Sequence, residues 1–133
     1  MEITGGCACG QVRYSSPGPV KFALRCACRS CQRDSGGGHG THAALPLEGF
    51  EIEGGTASWT RSGRSGLSVT KVFCPACGCP LWGLPERAPA TVMVAAGSLD
   101  DPSKVAPGRV VYRGEAPPWD LLPPEEERGH AEA

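Results

Sequence analysis

The side chains most able to do chemistry in this 133-residue chain are its eight cysteines, which fall into three clusters. The clusters read CACG from Cys7, CACRSC from Cys26 and CPACGC from Cys74. A disulfide between cysteines one residue apart would close a small strained ring, whereas two thiolates at that spacing can share one metal ion. We find no secretory signal pattern, and thiols in a reducing compartment are more often metal ligands than disulfides. The spacing therefore predicts metal sites.

The first and third clusters together predict one closed metal site. In each of them a pair of cysteines is followed at once by a glycine, Gly10 or Gly78, which lets the backbone turn tightly and aim N–H groups at thiolate sulfurs. Two such turns supply four sulfurs for a tetrahedral structural site, which suits zinc, with iron as the alternative metal. The predicted ligands are Cys7, Cys9, Cys74 and Cys77. The other interpretation is that these cysteines pack as small apolar side chains.

The middle cluster predicts a second metal site of a different kind. It supplies three ligands from one local segment, and three protein ligands with an open fourth position are what a catalytic zinc requires. A thiol that binds at the open position loses its proton at neutral pH, so the metal would hold and activate a sulfur nucleophile. The predicted ligands, which are also the predicted catalytic residues, are Cys26, Cys28 and Cys31. The alternative is a second structural site that Cys79, His39 or His42 closes.

Charged and glycine-rich stretches around the middle cluster predict contacts to an anionic substrate. Three arginines lie four residues apart, and their charge would lower the pKa of nearby thiols or receive a carboxylate. The run SGGGHG that follows offers bare backbone N–H groups to an anion. The candidate substrate-binding residues are Arg25, Arg29, Arg33, Gly37 and Gly38. The alternatives are a solvated surface and an ordinary turn. Segment 59–66 is predicted to be a hairpin loop with an aromatic and two arginines that could grip a peptide-like ligand.

Short elements must position these clusters, because 19 glycines and 13 prolines interrupt the chain repeatedly. One helix of about two turns is predicted directly after Cys28, ending at the glycines that follow Ser35. Alternation of apolar and polar residues, or an apolar run, predicts strands at 11–14, 20–25, 50–53, 67–70, 91–96 and 109–113. The pattern indicates an all-β domain of small antiparallel sheets with at most short helical turns.

Length and charge limit the remaining possibilities. Residues 1–123 fit one domain, and the acidic segment 124–133 is predicted to be disordered because it has no apolar period. The 13 basic and 14 acidic residues nearly cancel, to a formal net charge of −1, so no nucleic-acid or anionic-membrane partner is expected. No apolar run approaches the roughly 20 residues of a membrane span. We therefore expect a soluble, cytoplasmic protein, and the sequence does not define its oligomeric state.

Five motifs together resemble one known family. In chain order they are GGCACGQVRY, CACRSCQRDSG, FCPACGCPL, AAGSLDDP and PPWDLL, and they resemble the glutathione-dependent formaldehyde-activating family, also called centromere protein V-like. The resemblance covers residues 3–122 and implies a β-tent fold, a structural zinc at the outer clusters and a second zinc at the middle cluster. It also implies addition of glutathione to formaldehyde to give S-hydroxymethylglutathione, a carbon–sulfur lyase reaction in reverse. Two positions depart from the family pattern, since Ala27 stands where many relatives have histidine and Cys79 is an additional thiol.

Three hypotheses about function follow. The leading one is a zinc enzyme of thiol and aldehyde chemistry whose partner is glutathione or a similar small thiol, and the three-ligand cluster beside arginines motivates it. The second is a non-catalytic scaffold that holds two zinc ions and binds another protein. The third is a redox or metal-buffering thiol protein, for which Cys79 is the strongest feature.

Overall fold

The computed structural model describes residues 2–124, and within this range the chain forms ten strands, one α-helix and three short 3-10 turns. Of the segment predicted to be disordered, residues 125–133 lie outside the described residues, and the domain boundary at 123 stays a prediction. In the part of the chain that is described, no helix combines the length and hydropathy needed to cross a membrane.

The elements are numbered in chain order. The strands are β1 Ile3–Gly6, β2 Arg13–Ser16, β3 Phe22–Cys26, β4 Gly40–Pro46, β5 Glu51–Glu53, β6 Ala57–Ser62, β7 Ser68–Phe73, β8 Pro80–Pro85, β9 Thr91–Ala95 and β10 Arg109–Val111. The helix α1 is Arg29–Ser35, and the 3-10 turns are Ala96–Ser98, Pro102–Lys104 and Arg113–Glu115.

The strands form two sheets. The smaller sheet is antiparallel with the order β1-β2-β5, and the larger has the order β10-β3-β4-β9-β8-β7-β6. Neighbours in the larger sheet are antiparallel except β10 and β3, which run parallel. Parallel neighbours require a long connection, and most of the chain lies between the end of β3 at Cys26 and the start of β10 at Arg109. The predicted all-β class with one short helix is confirmed.

The core lies between the larger sheet and the smaller sheet. On β9, Val92 and Val94 are fully buried, whereas Met93 and Ala95, which alternate with them, are partly exposed on the opposite face. The two valines join a buried cluster that includes Leu45, Leu81, Ile3, Val12 and Tyr14. Full burial of a side chain of this size contributes about 1.5–3 kcal/mol. Alternation along the strands therefore separates a packed face from an open one.

The open face of the larger sheet carries the candidate site. One row of directly paired residues crosses four strands on this face and consists of Met93, Gly83, Lys71 and Trp59. Gly83 has no side chain, and a Cβ built there would lie 3.4 Å from Lys71 Nζ, so this position leaves a hollow beside the lysine. A second row runs from Ala95 through His42 to Leu24. Cys26 lies two residues beyond Leu24 and therefore on the same face.

Candidate metal centres and the cavities beside them

The outer two cysteine clusters meet in space. Cys7 and Cys9 follow β1, Cys74 and Cys77 follow β7, and all four sulfurs lie within 4.8 Å of one another. Cys9 Sγ is 3.6 Å from Cys7 Sγ and 3.7 Å from Cys74 Sγ, close to the roughly 3.8 Å that a tetrahedral site with Zn–S bonds of about 2.3 Å requires. Gly10 and Gly78 have φ values of +82° and +76°, in the left-handed region that glycine adopts without steric cost.

Backbone N–H groups point at two of these sulfurs, as expected for thiolates. Val12 N–H donates to Cys7 Sγ at 3.2 Å, and this bond lowers the pKa of Cys7 to about 6. The N–H groups of Ala76 and Cys77 donate to Cys74 Sγ at 3.4 and 3.5 Å. Such donors stabilise a thiolate relative to a thiol and tune its metal affinity. Cys77 is exposed, as is Cys9, so apolar packing does not account for this cluster.

The middle cysteines are brought together by the step from β3 into α1. Cys26 ends β3, Cys28 is the N-cap residue of α1, and Cys31 lies in its first turn, with all three sulfurs within 4.8 Å of one another. The buried Gln32 fixes the connection, because its Nε2 donates to Ala27 O at 2.9 Å and to Glu115 O at 3.0 Å. The three cysteines are buried and free, so the cluster consists of thiols and not of a disulfide.

The three thiols are close enough to shift one another's pKa values. Hydrogen bonds from Cys26 and Cys31 hold the pKa of Cys28 well below its ordinary value. The same contacts raise the pKa of Cys26 to about 11 and that of Cys31 well above its ordinary value. Cys28 Sγ also accepts the N–H of Cys31 at 3.4 Å.

His42 is the side chain that comes nearest to a fourth ligand among the three considered from the sequence. Its Nε2 lies 3.7 Å from Cys31 Sγ, and burial lowers the pKa of His42 to about 4, so the ring is neutral at neutral pH. Its Nδ1 is shielded from solvent and has no hydrogen-bond partner among the described residues. Within residues 2–124, no His, Cys, Asp or Glu ligand atom joins the three sulfurs at mutual distances below 4.8 Å, which leaves the cluster at three.

A cavity of about 110 Å³ opens beside the three sulfurs. Four of the residues that line it are cationic, namely Arg61, Arg64, Lys71 and Arg87. Asp34 of α1 places one negative charge between two of these cations, because its Oδ2 lies 3.1 Å from Arg61 Nη2 and 3.4 Å from Lys71 Nζ. Glu115 places a second negative charge 2.5 Å from Arg64 Nη2. Arg61 Nε is buried and unpartnered within the described range. The cavity thus combines three sulfurs with more cationic side chains than carboxylates.

A second and larger cleft adjoins this cavity. Its volume is about 600 Å³, and it shares His42, Lys71 and Met93 with the smaller cavity as a common wall. Trp59 of β6 and Trp82 of β8 also line it. The open face of the larger sheet is thus divided into a small compartment that holds the sulfurs and a large one that is mainly apolar.

The five predicted substrate-binding residues lie outside the lining of the small cavity. Arg25 donates to Pro107 O, and Arg29 donates to Gln32 Oε1. Arg33 is exposed and lines the larger cleft. Gly38 packs against Asp120, and Gly37 N–H donates to Ser35 Oγ at 3.0 Å. The structure therefore separates these residues from the three sulfurs, and their contact with a substrate stays a prediction.

The cations that do line the small cavity come from distant parts of the sequence. Arg61 and Arg64 belong to segment 59–66, which was predicted to be a hairpin loop but forms most of β6 before its turn. Lys71 is on β7, one residue beyond the strand predicted at 67–70. The sequence pattern did not indicate that this face of the strand would lie near the cysteines. Trp59 and Arg61 lie two residues apart and therefore on one face of β6. This spacing is the one local signal in the sequence for a strand with a functional face.

Fold and clusters together define the class of protein, a small all-β protein with one cluster of four and one cluster of three cysteines that could each hold a metal ion. The family model described as glutathione-dependent formaldehyde-activating enzyme matches residues 2–115. The chain belongs to that family, which confirms the resemblance read from its motifs.

Two known proteins illustrate the relationship. A Halomonas elongata protein named "Putative glutathione-dependent formaldehyde-activating enzyme" is 32% identical over 120 residues, which cover 83% of this chain and 73% of that protein. A crystal structure of a Rhodobacter sphaeroides protein matches with a TM-score of 0.58 and 22% identity, over 73% of this chain and 87% of that one. At that identity, the second match shows a shared fold.

Proposed function

We propose that this protein is a zinc-dependent carbon–sulfur lyase-type enzyme that adds glutathione, or a similar small thiol, to formaldehyde and catalyses the reverse reaction. Membership of the family supports a function related to glutathione and formaldehyde. One observation carries the proposal: the three buried sulfurs of the middle cluster meet at the wall of a cavity that can admit a fourth ligand. A closed four-sulfur site would leave no such position.

The donor sets fit zinc at both clusters. Four sulfurs that accept backbone N–H groups suit a closed structural ion held by Cys7, Cys9, Cys74 and Cys77. Three sulfurs beside a cavity suit an ion with an exchangeable position, held by Cys26, Cys28 and Cys31. When bound at this second site, zinc supplies a Lewis acid that activates a thiol or polarises a carbonyl oxygen.

The chain's own cations would bind and orient the thiol substrate. Glutathione carries two carboxylates, and the excess of four cationic side chains over the two carboxylates of Asp34 and Glu115 attracts anions to the small cavity. The unsatisfied Nε–H of Arg61 favours an acceptor at the same wall. His42 is neutral at neutral pH and adds no further charge. A cavity of about 110 Å³ accommodates a sulfur and a one-carbon aldehyde side by side.

The reaction itself is an addition without electron transfer. The thiol sulfur forms a bond to the aldehyde carbon as the π bond of the carbonyl group breaks, and the proton that the thiol releases ends on the former carbonyl oxygen. Placing sulfur and carbon in one small compartment lowers the entropic cost of their encounter. The cations on the wall stabilise the negative charge that passes from sulfur to oxygen.

We place this reaction in the cytoplasm and expect neither nucleic acid nor a membrane as a partner. All eight cysteines are free, which suits a reducing compartment. The net charge of −1 offers no general attraction to polyanions.

Exchange NMR tests the proposal. Glutathione and ¹³C-formaldehyde form their adduct spontaneously, so the zinc-loaded protein should increase the exchange rate between free and adduct signals above the buffer rate. Cys28→Ser should abolish the increase, because it removes one of three sulfurs. Ser30→Ala is the matched control, since Ser30 is half-buried on the same helix and lies outside both cavities. A wild-type protein with two bound zinc ions and no effect on exchange would contradict the proposal.

A further inference from the structure

The two compartments differ in size more than the formaldehyde reaction requires. The small cavity of about 110 Å³ holds the reacting atoms, whereas the adjoining cleft of about 600 Å³ falls within the roughly 300–1,000 Å³ of pockets that enclose a complete small-molecule ligand. Formaldehyde, with a single carbon, does not require a cleft of that volume. The shared wall of His42, Lys71 and Met93 places any ligand in the cleft beside the three sulfurs.

The walls of the cleft are mainly aromatic and aliphatic. Trp59, Phe73 and Met93 present apolar surface to it, and the core residues Trp82, Leu81 and Val72 lie directly behind that surface. Trp59 is 55% exposed although it is one of the largest apolar side chains, so its outer surface has room for an apolar ligand. An aromatic or aliphatic group would displace water from such walls at a favourable free energy.

The inner wall is rigid before any ligand arrives. Trp82 is 4% exposed and packs edge-on against Tyr14 and Phe50, with ring centroids 5.7 and 5.1 Å away. Tyr14 is held in turn by a hydrogen bond of 2.6 Å to Ser98, which also lines the cleft. A wall held on several sides loses little conformational entropy when a ligand binds.

Most of the ionisable side chains in the cleft have a partner, either within the cleft or beside it. Asp34 lies 3.4 Å from Lys71, and His39 Nδ1 lies 2.7 Å from Asp120 Oδ2. Arg33 is exposed at the rim. Paired charges do not require a charged ligand, and the interior therefore suits a neutral one.

From these observations we propose that the large cleft binds the apolar body of an aldehyde larger than formaldehyde, of the size of an aromatic aldehyde, with its carbonyl group directed to the three sulfurs. This inference rests on the proposed function and names its substrate class. The chemistry is unchanged: a carbon–sulfur bond forms, the carbonyl π bond breaks, and the thiol proton ends on oxygen. The product is the hemithioacetal of the larger aldehyde.

A binding experiment tests the cleft without any reaction. Benzyl alcohol has the body of benzaldehyde but cannot add a thiol, and its titration into ¹⁵N-labelled, zinc-loaded protein should shift the amide signals of Met93, Ala95 and Gly97 in a saturable way. Gly97→Leu should weaken binding at least about tenfold, or about 1.4 kcal/mol. Gly97 lines the cleft, and a Cβ built there meets no atom within 4 Å, so the larger side chain fills the cleft without a clash.

The control is Gly55→Leu, at a position that is equally open but lies outside the cleft, and it should bind benzyl alcohol as wild type does. Trp59→Ala provides a second test should Gly97→Leu fold poorly, because Trp59 is exposed and its removal takes away one wall. Non-saturable shifts in wild type, or equal affinity in the cleft variants and the control, would overturn the inference.

The two proposals fail separately. Benzyl alcohol binding with no acceleration of formaldehyde exchange would remove the proposed function and leave the cleft as a binding site. Accelerated formaldehyde exchange without benzyl alcohol binding would remove this inference and leave the proposed function. If both hold, benzaldehyde should form its glutathione adduct faster with wild type than with Gly97→Leu.

Discussion

Replacing Asp34 by asparagine should destabilise the protein by about 3 kcal/mol. The carboxylate lies 3.1 Å from Arg61 and 3.4 Å from Lys71, and the exposed fractions of the three side chains are only 11–16%. Removing one partner from a fully buried ion pair costs about 3–5 kcal/mol, because a charge is left buried and unpaired. Two cations would be left here, but each keeps some contact with water, which places the cost at the lower end of that range.

The assay is thermal and urea unfolding of Asp34→Asn, with zinc at the same saturating concentration throughout. A loss of about 3 kcal/mol lowers Tm by roughly 10 °C in a domain of this size. Glu48→Gln is the control, since Glu48 is exposed, has no ion pair among the described residues and should change stability by less than about 0.5 kcal/mol. Asp34→Asn in the Arg61→Met background should cost less than in wild type, because one of the two cations is gone.

Equal stability of Asp34→Asn and Glu48→Gln would refute the reasoning. It would mean that solvent screens the Asp34 cluster as fully as it screens a surface pair, which contributes about 0–1 kcal/mol. The excess of cationic side chains assigned to the small cavity would then be too weak to select an anionic thiol.

Three further predictions concern the metals, the substrate cation and pH. Cys28→Ser should lower bound zinc from two ions per chain to one with the fold retained, whereas Cys77→Ser should largely unfold the protein, because a structural zinc contributes on the order of 10–16 kcal/mol; metal analysis with circular dichroism checks both. Lys71→Met should raise KM for glutathione about tenfold with less effect on kcat, and should weaken the dependence of KM on salt. Burial raises the pKa of Tyr14 to about 12, so the unfolded chain ionises first and stability should fall between about pH 10 and 12, by up to about 3 kcal/mol. Tyr14→Phe should lack this loss when urea unfolding is repeated across that range.

The division of the cysteines into a group of four and a group of three could be predicted because it depends on local spacing along the sequence. Each half of the four-cysteine site needs two cysteines and a glycine within four or five residues, and Gly10 and Gly78 adopt the backbone conformation that this requires. The short helix was predictable for the same reason, since the glycines that end it directly follow Ser35, and Gly36 is its left-handed C-cap. The strand predicted at 91–96 is observed at Thr91–Ala95, where β-branched residues dominate.

Four strands were missed, and the reason differs from one strand to the next. β4 is rich in alanine and is buried at consecutive positions, so it shows no alternation, and its conformation is set by β3 and β9 on either side. β8 begins and ends at prolines. No strand was predicted at the position of β1, and most of β6 was assigned to a hairpin loop. A central strand that is covered on both faces lacks the period-2 signal from which strands are recognised.

The cations of the small cavity were harder to predict for a related reason. Lys71 reaches the cysteines only because β7, β8 and β9 are neighbours, and because the register of β7 and β8 places Lys71 opposite Gly83. Local sequence determines neither the order nor the register of strands that are distant along the chain. The arginines beside the cysteines in sequence, Arg25 and Arg29, were therefore the natural candidates, although both side chains bind backbone or side-chain oxygens elsewhere.

The two clusters are linked through this same part of the sheet. β8 pairs with β9 at two positions, Trp82 with Val94 and Gly83 with Met93, whereas its pairing with β7 extends over five. The hairpin of β7 and β8 therefore has a short attachment to the rest of the larger sheet, and it carries Lys71 and Gly83 into the floor of the cavity. An ion held by Cys7, Cys9, Cys74 and Cys77 would tie that hairpin to the turn between β1 and β2. The four-cysteine site would thus help to set the position of the cavity wall, and an ion bound there would influence the geometry around the three-sulfur cluster without taking part in the proposed chemistry.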